Sequence, residues 1–351
     1  MRQQYRIPFA RPYMTRGIDA ALENEFADIF TSGRWTAGPK IQEFEEKFAE
    51  YLDCKHVIAV SSCTAALYTM LSVTAGAGYT VKSQSLTHCA VAHAAHHTQT
   101  DMEFVDCDER GISVEDADLT FGMDYCGYRF DREVLFIDAA HSLYGPRAAL
   151  ASCYSFHPSK ILTCGEGGAI ATNDDDFAEF ARSFRSFGYS TQQRDNQKPY
   201  DVTMPAFNFR MTEFQAAILL AQLGDIDHIA GMRNGVWLLW DDVIVNPQVG
   251  PCYHNRWTRQ DIPYCYNVTM PSHEARQTLR RGLAAIGIET VVHYETPLHR
   301  TTAFKQNVEL PNTDMLSRQS LSLPVGPHIT AQDFQELRDP ILGAFERALS
   351  C

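Results

Sequence analysis

Short apolar runs alternate with segments of helical spacing through the first part of the chain. The apolar runs at 57–60, 102–105, 134–137, 153–156 and 169–172 are predicted to be strands. The segments predicted to be helices are 19–29, 41–51, 65–73 and 214–223, where apolar residues recur every three or four positions. Nearly continuous apolar strands that alternate with helices are typical of a sheet covered on both faces. The pattern therefore predicts an α/β fold with a mostly parallel sheet.

The pattern changes after residue 235, where aromatic residues and proline become more frequent. Residues 290–294 look like a strand of a second unit. We place a domain boundary near residue 235, within about 15 residues. This divides the chain into a large domain, 1–235, and a smaller C-terminal domain, 236–351. A length of 351 residues is ample to bury a core in each.

Composition and charge exclude several classes of partner. The chain is 45% apolar and 21% charged, which is ordinary for a globular protein. Its net charge of −13 is not offset by any basic run, which argues against nucleic acid or an anionic membrane as partner. No apolar stretch has membrane-spanning length, and residues 1–6 lack an apolar signal core. The ten cysteines show no CxxC pair, so we expect reduced thiols and a cytoplasmic location.

Lys160 gives the strongest indication of chemistry. It follows the apolar run 153–156 and precedes the glycine-rich turn 165–168, so it lies in a loop after a strand with few charges nearby. Desolvation lowers the pKa of a lysine, and the neutral amine can then attack an aldehyde to form a Schiff base. Taken alone, the segment also fits an ordinary loop lysine beside a glycine turn.

The segment 61–64 joins a predicted strand to a predicted helix. The first turn of a helix leaves N–H groups free, and together with the hydroxyls of Ser62 and Thr64 they form a seat for a phosphate. Either hydroxyl alone also fits a simple helix N-cap. The chain has no GxxxxGK[ST] and no GxGxxG motif, so nothing indicates an NTPase or a dinucleotide-binding site.

Asp138 directly follows the predicted strand 134–137 and precedes Ala139, Ala140 and His141. In open α/β sheets the carboxyl ends of the strands line the ligand crevice. A carboxylate flanked by small residues can approach a cationic ring nitrogen closely. An aspartate that caps a helix is the alternative interpretation.

Four histidines lie close together in the sequence, at 88, 93, 96 and 97. His93 and His97 form an i,i+4 pair, the spacing of some zinc ligands. However, no acidic residue stands at ligand spacing on that helix, and His96 and His97 point to different faces. We therefore predict no metal site.

A phosphate seat, a strand-end aspartate and a strand-end lysine occur in the order that a pyridoxal 5'-phosphate (PLP) site requires. The first anchors the phosphate, the second keeps the ring nitrogen protonated, and the third binds the aldehyde as an imine. The combination is more specific than any one of these motifs.

The chain resembles the sugar aminotransferase family of fold-type I PLP enzymes, often called the DegT/StrS family. The resemblance runs nearly end to end, through motifs in the family's order. These motifs are 7–12, 32–39, 60–67, 85–88, 138–141, 155–168, 208–213 and 323–325. It implies a large PLP-binding domain, with a mostly parallel sheet sandwiched by helices, and a smaller C-terminal α+β domain.

The resemblance implies a role for each residue that matches a family motif. Lys160 is the Schiff-base lysine and proton shuttle, and Asp138 pairs with the pyridinium nitrogen. His141 lies near the cofactor ring and its 3-oxygen, and His88 is the residue that stacks on the ring. The phosphate is held by the set Ser62, Cys63 (through its backbone), Thr64 and Ser155.

The resemblance also implies a homodimer with composite sites and a substrate side. Asn208 would reach the phosphate of the neighbouring subunit's cofactor. His293, Tyr294 and His299 would lie on the substrate side of the site.

The sequence departs from the family pattern at several positions. Cys63 stands where the family usually has glycine, His88 where it has a large aromatic residue, and Ile137 where it has an acidic one. The segment 107–133 is shorter than the family's strand–helix insert. We therefore expect one peripheral strand or helix and the local substrate wall to depart from the family pattern.

The resemblance implies a PLP-dependent aminotransferase that moves an amino group from L-glutamate to a nucleotide-linked keto sugar by a ping-pong mechanism. A sugar dehydratase of the same fold has histidine in place of the lysine, so Lys160 argues against it. A cyclitol or aminobenzoate-forming relative shares every cofactor residue and remains an alternative. A degenerate PLP-like regulatory or binding protein would be favoured by loss of Lys160 or Asp138, and both are present.

Overall fold

A computed structural model describes residues 5–14, 18–74, 78–113, 120–190, 201–244 and 261–351. The helices are α1 (Ile18–Ser32), α2 (Pro39–Leu52), α3 (Cys63–Leu71), α4 (Cys89–His97), α5 (Asp175–Phe184), α6 (Glu213–Gly224), α7 (Ile226–Ile244), α8 (His273–Ala285), α9 (Pro311–Gln319) and α10 (Ala331–Leu349). The strands are β1 (His56–Val60), β2 (Thr80–Gln84), β3 (Asp101–Val105), β4 (Thr120–Met123), β5 (Phe136–Asp138), β6 (Ala151–Ser155), β7 (Gly168–Thr172), β8 (Tyr266–Thr269) and β9 (Ser320–Leu323).

The first seven strands form one mostly parallel sheet between two layers of helices. Its order is β1-β7-β6-β5-β4-β2-β3, and only β7 runs antiparallel to its neighbours. Alternate residues of β1 belong to different cores: Val57 and Ala59 pack with α2 and α6, whereas Ile58 and Val60 pack with α3, α4 and α5. The predicted α/β fold with a mostly parallel sheet is confirmed.

The strand register places several chain segments at one edge of this sheet. Val60 lies opposite Gly168, and Gly168 lies opposite Ser155 on its other side. Because β7 runs against both neighbours, β1 and β6 run in the same direction and end at the same edge. Asp138, the last residue of β5, lies opposite Cys153 of β6. The segments that follow β1, β5 and β6 are therefore neighbours at the carboxyl edge.

The C-terminal part of the chain has its own core. The antiparallel strands β8 and β9 pack with α8 and α10, and the core includes Trp240 and Val236 from the second half of α7. Ile229, earlier in α7, belongs to the core of the large sheet instead. One helix thus crosses from one core to the other close to our proposed boundary at residue 235. Ile7 packs in the second core, and its N–H donates a hydrogen bond to the Gly287 carbonyl at 2.9 Å.

The structure differs from the sequence-based expectation at several places. It adds β2 and β4, which the apolar runs did not predict because β2 is partly exposed and β4 contains a glycine. The strand predicted at 290–294 is wrong, since the segment pairs only at Val291 with Ser322 and then turns. The short segment 107–133 contains β4, which pairs with β2 and β5. Residues 114–119 of this segment lie outside the described residues.

Among the described residues, no helix is both long enough and apolar enough to cross a membrane.

Candidate active site

Lys160 lies in a tight loop that follows β6. Its N–H donates to the His157 carbonyl at 2.9 Å, and the Cys164 N–H closes the loop on the Phe156 carbonyl at 3.0 Å. The Lys160 Nζ lies 5.0 Å from the centre of the Tyr264 ring. Burial lowers the pKa of Lys160, and Asp138 opposes this effect by favouring the charged form. The loop thus holds an amine that gives up its proton more readily than a surface lysine.

Asp138 is a buried carboxylate at the end of β5, only 4% exposed. Its Oδ1 accepts a hydrogen bond from the Ala140 N–H at 3.0 Å. Burial raises the pKa of Asp138, while the Ala140 N–H and the Lys160 cation lower it. No helix begins after Asp138, so it is not a helix cap. A cation that approaches this carboxylate would stabilise its charged form, as a protonated ring nitrogen would.

The segment between β1 and α3 offers donors for a phosphate. Ser62 is the N-cap of α3, and its Oγ accepts from the Ala65 N–H at 3.1 Å. Cys63 and Thr64 follow in the first turn of the helix, where N–H groups have no intrahelical acceptor. Thr64 is exposed and Ser155 half-buried. The capping and phosphate interpretations are therefore compatible, since Ser62 caps the helix and its neighbours remain available.

Gly168 allows this segment to lie close to the sheet. A Cβ at Gly168 would stand 2.5 Å from the Cys63 nitrogen, too close for any side chain. Because Gly168 is opposite Ser155 in the register, the contact brings Ser155 beside the start of α3. The glycine-rich turn after Lys160 thus closes the phosphate seat as well as the lysine loop.

His141 is held in one tautomer by the backbone. Its Nδ1 accepts a hydrogen bond from the Cys126 N–H at 3.2 Å, which assigns the proton of the neutral ring to Nε2. The ring stacks on Tyr264 with a centroid distance of 4.1 Å and an interplanar angle of 7°. Burial lowers the pKa of His141 well below its usual value, and Lys160 lowers it further. His141 is therefore a neutral donor through Nε2.

His293 and Tyr294 also lie in this region. The His293 ring is 5.3 Å from the His141 ring and 5.6 Å from the Tyr264 ring. Its Nδ1 is 2.9 Å from the Ser322 Oγ. Burial lowers the pKa of His293 to about 3. Tyr294 is half-buried. The positions of both fit their predicted place on the substrate side, which stays a prediction.

His88 and His299 each already have a structural contact. His88 is the N-cap of α4, where its Nδ1 accepts from the Ala90 N–H at 3.2 Å. His299 is buried; its Nδ1 is 2.7 Å from the Ser85 Oγ and its Nε2 is 3.5 Å from Asp314. His88 is exposed at the carboxyl edge, with its ring 6.2 Å from Tyr294. Ring stacking by His88 and substrate contact by His299 stay predictions.

Asn208 is exposed, in an extended segment close to the phosphate seat. The neighbouring Phe209 carbonyl accepts from the Ser61 N–H at 2.7 Å, and the Phe209 N–H donates to the Arg185 carbonyl at 2.9 Å. The backbone around Asn208 is thus fixed, and its side chain lies on the surface. The contact of Asn208 with the partner's cofactor stays a prediction.

Sequence reasoning did not assign Tyr264 to the site. This buried tyrosine contacts the rings of His141 and His293 and lies under Lys160 Nζ. The only signal was the frequency of aromatic residues after residue 235, which predicts a core and gives no particular position.

Two groups of potential ligand atoms surround the site in the described part of the chain. In each group all three ligand atoms lie within 4.8 Å of one another. One comprises Cys63, Asp138 and Cys153, and the other Cys126, Cys265 and His293. Neither contains the His93–His97 pair, and the prediction of no metal site stays a prediction.

The residues present fit PLP. The carboxyl edge combines free helix N–H groups for a phosphate, a buried carboxylate for a ring nitrogen and an amine for an aldehyde. The neutral His141 supplies a hydrogen-bond donor for a ring oxygen. These are the complementary groups that PLP chemistry uses.

Comparison with known proteins agrees with this geometry. The sequence model of the DegT/DnrJ/EryC1/StrS aminotransferase family matches residues 17–120 and 133–341. The unmatched interval lies inside the short segment 107–133. dTDP-3-amino-3,4,6-trideoxy-alpha-D-glucose transaminase from Streptomyces venezuelae is 29% identical, covering 92% of this chain and 92% of that protein.

Solved structures show the same fold. DesV from S. venezuelae superposes with a TM-score of 0.83 at 26% identity, covering 96% of this chain and 99% of that one. The PLP-form of Spr1654 from Streptococcus pneumoniae superposes with a TM-score of 0.84 at 22% identity, covering 98% of this chain and all of that one.

Proposed function

The chain belongs to the DegT/DnrJ/EryC1/StrS aminotransferase family, and on that premise we propose that it transfers an amino group from L-glutamate to a nucleotide-linked keto sugar. It is a PLP-dependent sugar aminotransferase, and the amino donor and the nucleotide are our proposals. The observation that carries the proposal is the arrangement of Lys160, Asp138 and His141 at the carboxyl edge. Two half-reactions that share one amino carrier predict ping-pong kinetics.

When bound, PLP supplies the aldehyde that carries the amino group and the protonated ring that withdraws electrons. Asp138 keeps the proton on the ring nitrogen, because its buried carboxylate is stabilised by a cation. Lys160 Nζ would bind the aldehyde and, as a free amine, would act as the base that moves a proton from the donor α-carbon. The His141 Nε2–H donates to the ring oxygen. The N–H groups of Cys63 and Thr64 orient the phosphate.

The alternatives differ in what they require of these residues. A sugar dehydratase of this fold is disfavoured by Lys160. A degenerate, non-enzymatic protein is disfavoured because Lys160 and Asp138 are both present and electrostatically coupled. An aminotransferase for a cyclitol ketone needs the same cofactor residues, so substrate choice must be decided by experiment.

Substrate choice can be read from the second half-reaction. The purified enzyme, loaded with the aminated cofactor, is mixed with nucleotide-linked keto sugars, free keto sugars and a cyclitol ketone. We expect only the nucleotide-linked keto sugars to restore the visible absorbance of the aldehyde form. Recovery with the cyclitol ketone alone would support the alternative, and no recovery with any ketone would contradict a sugar aminotransferase.

We further propose a homodimer in which Asn208 completes the partner's phosphate site. Asn208 lies among exposed aromatic residues, with Phe187 and Phe207 each 42% exposed. A surface of this kind marks an interaction site. A two-fold dimer would bury it twice and form two identical composite sites. For location we propose the cytoplasm, because the cysteines follow no disulfide framework.

Mixing two inactive variants tests the composite site. Lys160→Ala damages the site that contains the lysine, whereas Asn208→Asp puts a carboxylate beside the partner's phosphate. In a mixed dimer both lesions fall on one site and the other is intact. Subunit exchange should therefore restore activity, up to about a quarter of wild type for random pairing. No recovery despite proven heterodimers, or an active monomer in sedimentation, would mean that Asn208 does not act across subunits.

A further inference from the structure

Two cysteines meet beneath the phosphate seat. Cys63 is the first residue of α3 and Cys153 lies in β6, and their Sγ atoms are 3.7 Å apart. Cys153 is fully buried, whereas Cys63 is partly exposed. The Cys63 Sγ also lies within 4.8 Å of the Asp138 carboxylate. The pair thus lies between the phosphate seat and the group that holds the cofactor ring.

The surroundings of Cys63 are those in which protein thiols react. The thiol lies at a helix N-terminus and near enough to Lys160 to interact with it electrostatically. Partial exposure lets a small oxidant reach the Cys63 sulfur. Oxidation-sensitive cysteines often have a second thiol within reach that completes a disulfide. Cys153 occupies that position.

A second pair serves as an internal comparison. Cys126 and Cys265 also lie within 4.8 Å of each other, together with His293. Both are buried, at 4% and 5% exposed, so an oxidant in solution does not reach either sulfur. Burial raises the pKa of Cys126 well above its usual value, which keeps it a thiol. The two sulfur atoms are thus close together in both pairs, but only the first pair has a cysteine that a dissolved oxidant can reach.

We propose that Cys63 and Cys153 form a reversible oxidation site whose disulfide excludes PLP, and that bound PLP in turn protects Cys63. The inference goes beyond the proposed reaction but rests on residues 62–64 being the phosphate seat. The oxidant is a peroxide. The Cys63 thiolate attacks one peroxide oxygen, the O–O bond breaks, and the departing hydroxide takes a proton to form water. Cys153 sulfur then attacks the Cys63 sulfenic sulfur, the S–O bond breaks, and a second water leaves.

The disulfide excludes the cofactor because its formation moves the helix. A disulfide holds its sulfurs about 2.0 Å apart, so the Cys63 and Cys153 sulfurs, now 3.7 Å apart, must move closer together. Gly168 already lies against the Cys63 nitrogen, where even a Cβ would stand at 2.5 Å. Because the start of α3 has little room beside Gly168, we expect closure of the disulfide to reorient the N–H groups of Cys63 and Thr64. Phosphate bound to those N–H groups would in turn cover Cys63 and block the oxidant.

The test uses the full-length protein, with PLP bound and with PLP removed. Each form is treated with hydrogen peroxide, alkylated and analysed by peptide mass spectrometry without reduction. We expect a Cys63–Cys153 linked peptide from the PLP-free protein, reversal by dithiothreitol, and little of it from the loaded protein. PLP affinity of the oxidised protein, followed by absorbance, should fall at least about tenfold, as for the loss of a charge-assisted hydrogen bond.

Matched variants distinguish oxidation of the Cys63–Cys153 pair from oxidation elsewhere in the protein. Cys63→Gly introduces the residue usual in the family, and Cys153→Ser removes the second thiol; either should abolish both the linked peptide and the loss of PLP affinity on oxidation. Cys126→Ser, in the buried pair, should leave both unchanged. Each variant is compared with its own reduced form, so a change in basal PLP affinity does not affect the result.

Three outcomes would overturn the proposal. They are a Cys126–Cys265 link in place of the expected one, Cys63 oxidised without any link, and an oxidised protein that binds PLP as tightly as the reduced one. The result is independent of the proposed reaction. If no ketone is aminated but the link forms and excludes PLP, the oxidation site stands and the proposed function fails.

Discussion

The carboxyl edge of the sheet and the aromatic–histidine cluster behind it are built in different ways. At the edge, strand register places Asp138 beside Cys153 and Ser155 beside Gly168, so backbone hydrogen bonds fix the positions. The cluster of His141, Tyr264 and His293 comes from irregular segments of both parts of the chain, and side chains hold it together. In the proposed reaction the edge carries the groups that react, and the cluster carries neutral rings that surround them.

The two regions also differ in how their surroundings shift the pKa values of their groups. At the edge, burial lowers the pKa of Lys160 and raises that of Asp138, and each group opposes the effect of burial on the pKa of the other. In the cluster, burial and the Lys160 cation together lower the pKa values of His141 and His293, so both rings stay neutral. We therefore expect changes at the edge to remove the chemistry, and changes in the cluster to alter rate and stability by smaller factors.

Lys160→Ala should have the largest effect, because in the proposed reaction one side chain both binds the aldehyde and moves the proton. Turnover should fall to background. In the wild type, borohydride should attach the cofactor covalently, and peptide mapping should find the label on Lys160. Activity retained in the variant, or label on another lysine, would contradict the assignment.

Asp138→Ala should have the next largest effect, because the ring loses the charge that keeps its nitrogen protonated. We expect kcat to fall by several orders of magnitude, more than the roughly 10²–10⁴-fold attributed to a single general acid–base group. Cofactor affinity should fall less. A variant with near-wild-type kcat would show that this carboxylate has only a structural role.

The sequence predicted the edge better than the cluster, because strands build the edge whereas packing of irregular segments builds the cluster. Strand-end residues such as Asp138 and Lys160 follow from apolar runs, since the carboxyl ends of parallel strands meet at one edge. The family, the fold and PLP dependence predicted from those motifs are confirmed. Tyr264 was missed because tertiary packing alone brings it to His141. The strand expected at 290–294 was wrong because apolar character there serves packing rather than pairing.

Tyr264 tests whether the cluster acts on the edge through His141. Tyr264→Phe keeps the ring that stacks on His141 and should leave kcat within about threefold of wild type. Tyr264→Ala removes the stacking, worth about 0.5–1.5 kcal/mol, and should lower kcat roughly tenfold. It also leaves a cavity, so unfolding should become easier by about 3–5 kcal/mol. Equal kcat in the Phe and Ala variants, measured on folded protein, would separate the cluster from catalysis.

The smallest effect we expect concerns pH and His293. The pKa of a histidine is about 6.5 in an unfolded chain, and burial lowers that of His293 to about 3 in the folded protein. Between these values the unfolded chain binds a proton that the folded chain does not. The stability that a neutral His293 contributes is therefore complete above pH 6.5 and is lost as pH falls toward 3. The slope is at most about 1.4 kcal/mol per pH unit.

His293→Gln should remove that contribution to the pH dependence of stability. The free energy of unfolding of the variant, from urea titrations between pH 4 and 7, should therefore fall less steeply toward acid than that of the wild type. The difference in slope is the observable, since lost packing shifts the whole curve rather than its pH dependence. His228→Gln, at an exposed histidine, is the matched control and should keep the wild-type slope. Parallel curves for His293→Gln and wild type would mean that His293 takes up its proton in the folded protein, and the cluster would then carry charge, as the edge does.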